Sequence, residues 1–452
     1  MNENLKTVEE VKEMLEVNAK GETKHTIVNY RTIFMHDPML KGAFQLNMFT
    51  DKIDITKKLW WDRDSENLTD VDLKFLALYL EQNYGLAYEK RIDDVIKIVA
   101  NENRYHPVRD YLNSLSWDGT ERIRYALHHF LGAEVNEYTY EVLKLFMLGT
   151  ISRVIYPGIK FEVMLCLVGG QGAGKSTFLR FLAMSDDWFT DDLKKMDDDN
   201  VYRKLQGHLI IEFPEMVAIL NAKNVEDTKS FMSRQKDTYK TPYDRHPKDH
   251  KRQCVFAGST NSKDFLPMDR SGNRRFLPIQ CDAKKAEIHI LENEKASREY
   301  INQMWAEAME LFRKGEFQLR LSKELETELT EHQKEFAQED SKKDMILDYL
   351  ERTNRKLVCS RLLYTEALGN DKKPLQWEIR EINDIMNNCS DWIYFSNPRH
   401  FPEPYHRQRG WERPDNGSGE FELINEKEAE QLSIPTQWLE DKRPDKEELR
   451  CS

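Results

Sequence analysis

The chain has 452 residues, enough for roughly two to four domains with real cores, and its 67 Lys/Arg against 79 Asp/Glu leave a formal charge of −12. That balance excludes a uniformly basic nucleic-acid coat, so any DNA contact has to come from a local patch. The six cysteines (Cys166, Cys254, Cys281, Cys359, Cys389, Cys451) contain no C-x-x-C pair, which argues against a zinc ribbon or disulfide scaffold, and no apolar run approaches the ~20 residues of a membrane span.

Residues 1–25 are charged and polar and read as a mobile lead-in. Further on, Thr69-Asp70-Val71-Asp72 has the form of a helix cap ahead of Leu73, Leu76 and Leu80. Asp70 and Asp72 mimic the D-x-D of a metal site, but their place at a helix start favours capping. Helical text continues through Arg91 to Asn101. It resumes at His106-Pro107, turns at Trp117-Asp118-Gly119, and runs on from 120 to 155 before Pro157-Gly158. Residues 1–120 are expected to form an accessory N-terminal domain, helical or α+β, and 121–340 an ATPase domain with flanking helices.

Val163 to Val168 is an unbroken apolar run of strand length, followed by Gly169-Gly170-Gln171-Gly172-Ala173-Gly174-Lys175-Ser176-Thr177 and then a helix with Phe178, Leu179 and Leu182 on one face. Strand, G-x-x-x-x-G-K-[ST] loop and helix in this order are the context of a phosphate-binding loop. Glycines let backbone N–H groups converge on a triphosphate, Lys175 reaches the β/γ-phosphates, and the Ser176 hydroxyl can ligate Mg²⁺. ATP and Mg²⁺ are the expected ligands. The fold class is therefore α/β, a P-loop ATPase core.

His208 to Phe213 reads as a second buried strand, placing Glu212 37 positions after Lys175, with Glu215 three further on. Glu212 reads as the metal-side acid and Glu215 as a polariser of the attacking water, or the reverse. A third apolar strand, Cys254 to Gly258, leads to Asn261, suited to the γ-phosphate if this strand lies between the other two. Arg274 and Arg275 follow a tight turn. In a ring ATPase one of them would reach the neighbouring subunit's site and neutralise charge developing in phosphoryl transfer.

The order phosphate loop, Glu212, Asn261 resembles the superfamily 3 helicases of small viruses and plasmids. More narrowly, His106 to Leu112, Trp117-Asp118-Gly119, Glu212-Phe213-Pro214-Glu215, Arg252 to Asn261 and Gly272 to Phe276 resemble the virulence-associated protein E family of phages and pathogenicity islands. The resemblance implies an AAA+-type core that assembles as a ring, a hexamer by that family's habit, and acts in mobile-element replication inside a bacterial cytoplasm. The two acids are spaced by two residues where superfamily 3 members place them side by side, which leaves the water-polarising residue open. Members are often fused to a primase, and no primase constellation is legible here.

Ser233 to Gln253 holds seven Lys/Arg against three Asp and reads as a hairpin or extended loop. The resemblance implies that it projects into a central pore, with Lys240, Arg245, His246 and Lys248 touching single-stranded or forked DNA and Tyr239 or Tyr243 stacking on a base. Residues 283–340 are charged and helical, with Trp305, Ala308, Met309 and Phe312 as an apolar stripe. Residues 341–413 run helix, short strand, helix, helix and aromatic strands around Trp392 and Trp411, an order compatible with a winged helix; 414–452 form an acidic tail. The leading expectation is a DNA helicase or translocase, cooperating with replication proteins or a primase and with no membrane partner. An initiator or loader ATPase, or a P-loop kinase, are the other readings; only a kinase would turn over without regard to DNA.

Overall fold

The computed structural model describes residues 6–193, 201–216, 220, 225–240, 247–266, 273–337 and 340–414. The chain divides into two compact units, Met1–Glu339 and Asp340–Ser452.

In the first unit the described part of the lead-in is folded against a core. Thr7 and Glu10 form a capping box on α1 (Val8–Lys12), and Val11 and Leu15 are buried in the same core as α2 (Ile27–His36), α3 (Asp70–Tyr84) and α4 (Glu89–Glu102). Two apolar side chains in otherwise charged text suffice to pin it. Thr69 caps α3 as the sequence predicts, accepting from Asp72 N while the Asp72 carboxylate accepts from Thr69 N. That carboxylate also accepts from Trp61 Nε1 and Arg63 Nε, each at 2.8 Å, so it caps and pairs. Trp61 is buried and stacks on Phe75, whereas Trp60 is exposed. Strands β1 (Phe44–Asn47) and β2 (Lys52–Ile55) form an antiparallel hairpin, and β3 (Arg104–Tyr105) adds to β1 in parallel.

Helices α5 (Pro107–Ser114), α6 (Ile123–Leu131) and α7 (Glu137–Ile155) lead to the central sheet, the long predicted helix being divided at Gly132. Val108 and Leu112 of α5 already belong to the core cluster of that sheet. The sheet comprises β4 (Met164–Val168), β5 (Phe189–Thr190), β6 (Ile210–Pro214), β9 (Val255–Thr260) and β10 (Phe276–Gln280), all parallel, in the order β10-β4-β9-β6-β5. Helix α8 (Lys175–Leu182) follows β4, α9 (Val201–Leu205) precedes β6, and α10 (Val225–Ser233) leads to the hairpin β7 (Lys236–Tyr239) and β8 (Lys248–Lys251). Side chains alternate across the sheet. Leu165, Leu167, Val255 and Ala257 pack beneath α6, α7, α8 and α11 (Glu294–Lys314), while Met164, Cys166 and Phe256 pack on the opposite face with Phe231 of α10. Both faces are covered, the usual fate of a parallel sheet. Helix α12 (Lys323–Glu335) closes this unit, Gln333 Nε2 donating to Phe276 O at 2.7 Å.

The second unit contains α13 (Ser341–Arg352), β11 (Leu357–Val358), α14 (Ser360–Leu362) continuing into a π-turn at Leu363–Ala367, α15 (Gln376–Asn387), β12 (Ile393–His400) and β13 (Arg407–Glu412). Its antiparallel sheet has the order β11-β13-β12 and shares a core with the helices around Leu363, Ile385 and Trp411. Among the described residues no helix is long and apolar enough to cross a membrane.

Candidate functional site at the C-terminal edge of the sheet

Register brings the expected residues together. Val168 at the end of β4 pairs with Thr260 of β9, and Ser259 pairs with Pro214 of β6. The glycine loop, Asn261 and the Glu212–Glu215 segment therefore leave three adjacent strands at one edge, with β9 in the middle as required.

The loop is shaped by close packing and left-handed backbone. A side chain at Gly169 would place its Cβ 2.4 Å from Cys281 O, and Gly174 sits at φ 79°, directly before α8. No side chain caps that helix N-terminus, leaving its first N–H groups for a ligand. Lys175 is buried, its ammonium donating to Gly169 O and Gly170 O at 2.8 Å and to Asn261 Oδ1 at 3.1 Å. Burial lowers its pKa, opposed by the nearby Cys281 and Glu212.

Glu212 is fully buried. Ser176 Oγ donates to its Oε1 at 2.7 Å and Ser259 Oγ to the same oxygen at 2.5 Å, while Oε2 is buried with no hydrogen-bond partner. Burial raises its pKa, and the two serines oppose the shift. An orphaned carboxylate oxygen beside a hydroxyl is a donor set that fits Mg²⁺, which usually takes one or two protein ligands and completes its shell with phosphates and water. Among the described residues no cluster of three or more His, Cys, Asp or Glu could hold a metal without such help.

Ser259 has no role in the sequence reading, yet it holds Glu212 in place. Its signal is parity. Ser259 falls in phase with Val255 and Ala257, and Glu212 with Ile210, all on the face covered by α8.

Glu215 follows the strand in left-handed backbone, φ 52°, and is exposed. Arg274 and Arg275 lie elsewhere. Phe276, just after them, pairs with Met164 at the start of β4, so they sit at the opposite edge of the sheet from Lys175. Arg275 is tied within the chain, to Ser233 Oγ at 3.1 Å and Glu162 Oε2 at 3.5 Å; Arg274 is 75 % exposed.

The basic segment forms the β7–β8 hairpin, with Tyr239 opposite Lys248. Lys240 and Lys248 are exposed; Arg245, His246 and Tyr243 lie outside the described residues. Of the expected contacts, Tyr239 and Lys248 are already engaged. Tyr239 stacks on both Tyr202 and His250, at ring separations of 5.7 and 4.0 Å, so base stacking there needs rearrangement. Arg252 is a buried anchor, its Nε and Nη2 meeting the Asp237 carboxylate at 2.6 and 2.8 Å and its Nη1 donating to Phe231 O. The turn after β1 rests on this region. Gln253 Nε2 donates to Met48 O at 3.0 Å, Gln253 Oε1 lies 2.6 Å from His106 Nε2, and Lys248 meets Asp51, around a cleft of about 280 Å³. Two of the phrases that carry the family resemblance thus touch through His106 and Gln253.

Comparison with known proteins gives one family and a set of solved structures of distant sequence. No curated protein matches the chain. Three solved structures are similar at 14 % identity, each match covering 82 % of this chain and 96 % of the other: the apo structure of the NrS-1 C-terminal region (305–718), TM-score 0.44, and two A-form apo structures of that region, TM-scores 0.43 and 0.46. The profile of the virulence-associated protein E-like domain matches residues 112–338, half of the chain, from within α5 through α12. The chain belongs to the virulence-associated protein E-like family.

Proposed function

We propose that this protein is an ATP-driven, ring-forming DNA helicase or translocase that acts in the replication of a phage or another mobile genetic element. The observation that carries the reading is the convergence of Lys175, Ser176, Glu212 and Asn261, drawn from three neighbouring strand ends onto one point and linked by hydrogen bonds of 2.7 to 3.1 Å. Membership of the virulence-associated protein E-like family supports the biological setting.

In this reading the glycine loop and the uncapped start of α8 bind the triphosphate of ATP, and Lys175 swings from its own loop carbonyls to the β/γ-phosphates. Ser176 and Glu212 hold Mg²⁺, which when bound neutralises charge on the β- and γ-phosphates. Ser259 keeps the Glu212 carboxylate oriented. Asn261, hydrogen-bonded to Lys175, is placed to sense the γ-phosphate or its attacking water, and the exposed Glu215 at the strand exit is the candidate to polarise that water. Arg274 is the better candidate for the arginine acting on a neighbouring subunit: both arginines lie near Glu162, at 3.9 and 3.5 Å, but Arg275 is also hydrogen-bonded to Ser233 and only 20 % exposed, whereas Arg274 is 75 % exposed. The β7–β8 hairpin contacts single-stranded or forked DNA through Lys240 and Lys248, with Arg245 and His246 as the remaining expected contacts. The winged-helix reading of the second unit, the hexamer, and cooperation with replication proteins or a primase belong to the same proposal.

The test is ATP hydrolysis with and without single-stranded DNA, on wild type and Lys175→Ala, alongside light scattering and strand displacement. DNA-stimulated turnover by an ATP-dependent oligomer that separates strands, lost in Lys175→Ala, is expected. Turnover without strand displacement identifies a loader or initiator, and DNA-indifferent turnover by a monomer refutes the motor.

A further inference from the structure

The second unit distributes its charge against the usual use of a helix as the reading element. Charged side chains on α15 are Glu378, Arg380, Glu381 and Asp384, three acids to one arginine, and Glu381 is already paired with Lys342 at 2.7 Å. A phosphate backbone is repelled by such a face. The β12–β13 ribbon is the opposite. His400 pairs in register with Arg407, and Arg409 follows two residues on, so all three lie on one face of the ribbon, and all are exposed. Arg399, opposite Gln408, is neutralised by Glu412 and covers the Phe395 ring at 4.3 Å. Among the described residues no carboxylate pairs with Arg407 or Arg409.

The ribbon is also held rigidly. Phe401 and Tyr405 at its turn are buried in the core of the unit, and Tyr405 Oη donates to Glu366 Oε1 at 3.0 Å, which also receives Arg355 Nη2 at 3.1 Å. Charges presented by a pinned hairpin lose little conformational freedom on binding.

We infer that this ribbon face, His400, Arg407 and Arg409, is a docking surface for the phosphate backbone of a nucleic acid. Arginines two apart on one strand stand about 7 Å from each other, comparable to neighbouring phosphates along one nucleic-acid strand, and guanidinium groups suit phosphate oxygens in geometry and charge. The surface positions nucleic acid without reading bases. It is independent of the ATPase reading and stands even if the sheet edge hydrolyses nothing.

The test uses the full chain and labelled DNA, one arm with a short duplex and one with oligo(dT), in a salt titration. Variants are R407E/R409E, the milder R407Q/R409Q, and R380Q on α15 as control, each checked for an unchanged thermal midpoint. Both ribbon variants are expected to bind at least about fivefold more weakly at low salt, with a log–log salt slope shallower by about two, while R380Q and basal ATP hydrolysis stay at the wild-type level. Loss in the duplex arm alone identifies duplex as the ligand; loss in both arms identifies any phosphate backbone. Unchanged affinity and slope in both arms, or an equal loss in R380Q, overturns the inference. Displacement of DNA by poly-glutamate as effectively as by unlabelled DNA of equal charge also overturns it, in favour of an acidic protein.

Discussion

Asp51 Oδ2 lies 2.6 Å from Lys248 Nζ, so a lysine expected to touch DNA is held by a carboxylate from the turn after β1. His250 Nδ1 is 3.7 Å from the same oxygen. An N-terminal acid thus competes with any phosphate for the hairpin. The pair is partly exposed and worth under about 1 kcal/mol, so Asp51→Asn is expected to raise affinity for single-stranded DNA by about two- to fivefold at low salt. The gain should fade at high salt. Fluorescence anisotropy checks this; a Lys248→Ala protein indifferent to a second change at Asp51 would confirm that the effect passes through this lysine.

Ser259 supplies one of the two hydroxyl donors to Glu212 Oε1. Ser259→Ala removes that donor without touching the loop. The expected result is a fall in kcat for ATP of about 10- to 100-fold, the range of lost orienting partners around a metal ligand, with KM for ATP little changed. A KM effect alone would place Ser259 in nucleotide binding instead.

The Arg252–Asp237 pair is buried and bidentate, and Arg252 also lies over the Phe231 ring at 4.4 Å. Asp237→Ala leaves a guanidinium buried without its counter-ion, which costs about 3–5 kcal/mol. Denaturant unfolding should show the loss, and Lys236→Ala on the same strand, whose partner Asp249 is exposed, should show little.

Asp72 gives the fold an acid-sensitive point. Burial pushes its pKa up, but Arg63, Trp61 and Thr69 outweigh burial and hold it at about 2. With an unfolded value near 4, its ionised form stabilises the protein fully above about pH 4 and progressively less as pH falls towards 2, by about 2 kcal/mol in all. Asp72→Asn should be less stable at neutral pH and show a flatter acid limb between those values, read by thermal unfolding across pH.

The central strand order and the converging site residues could be anticipated because their signals are local: an apolar run, a glycine loop, an acid or amide at a strand exit. Strand β10 could not, since Pro278 interrupts it and cannot donate to a ladder. The fold tolerates that proline because β10 is an edge strand paired on one side only, and Tyr138 Oη donates to Pro278 O. Nor does sequence distinguish Arg252 from the six other cations of its segment. Its burial depends on Asp237, which becomes its neighbour only when β7 and β8 pair. The described part of the lead-in fails for a related reason, because Val11 and Leu15 acquire meaning only from the helices they meet.

Arg252 joins the hairpin to β9, the strand that leads to Asn261. Its backbone N–H closes the hairpin on Gln235 O at 2.9 Å, its carbonyl accepts from Gly158 N at 2.9 Å, and its side chain grips Asp237. A joint fastened in three directions has no hinge of its own. The six residues of β9, about 20 Å long, therefore run from the Lys175–Asn261 edge to the hairpin with no free joint between them; in the proposed motor, a shift of the strand at the sheet edge would reach the hairpin undiminished rather than be absorbed at an elbow.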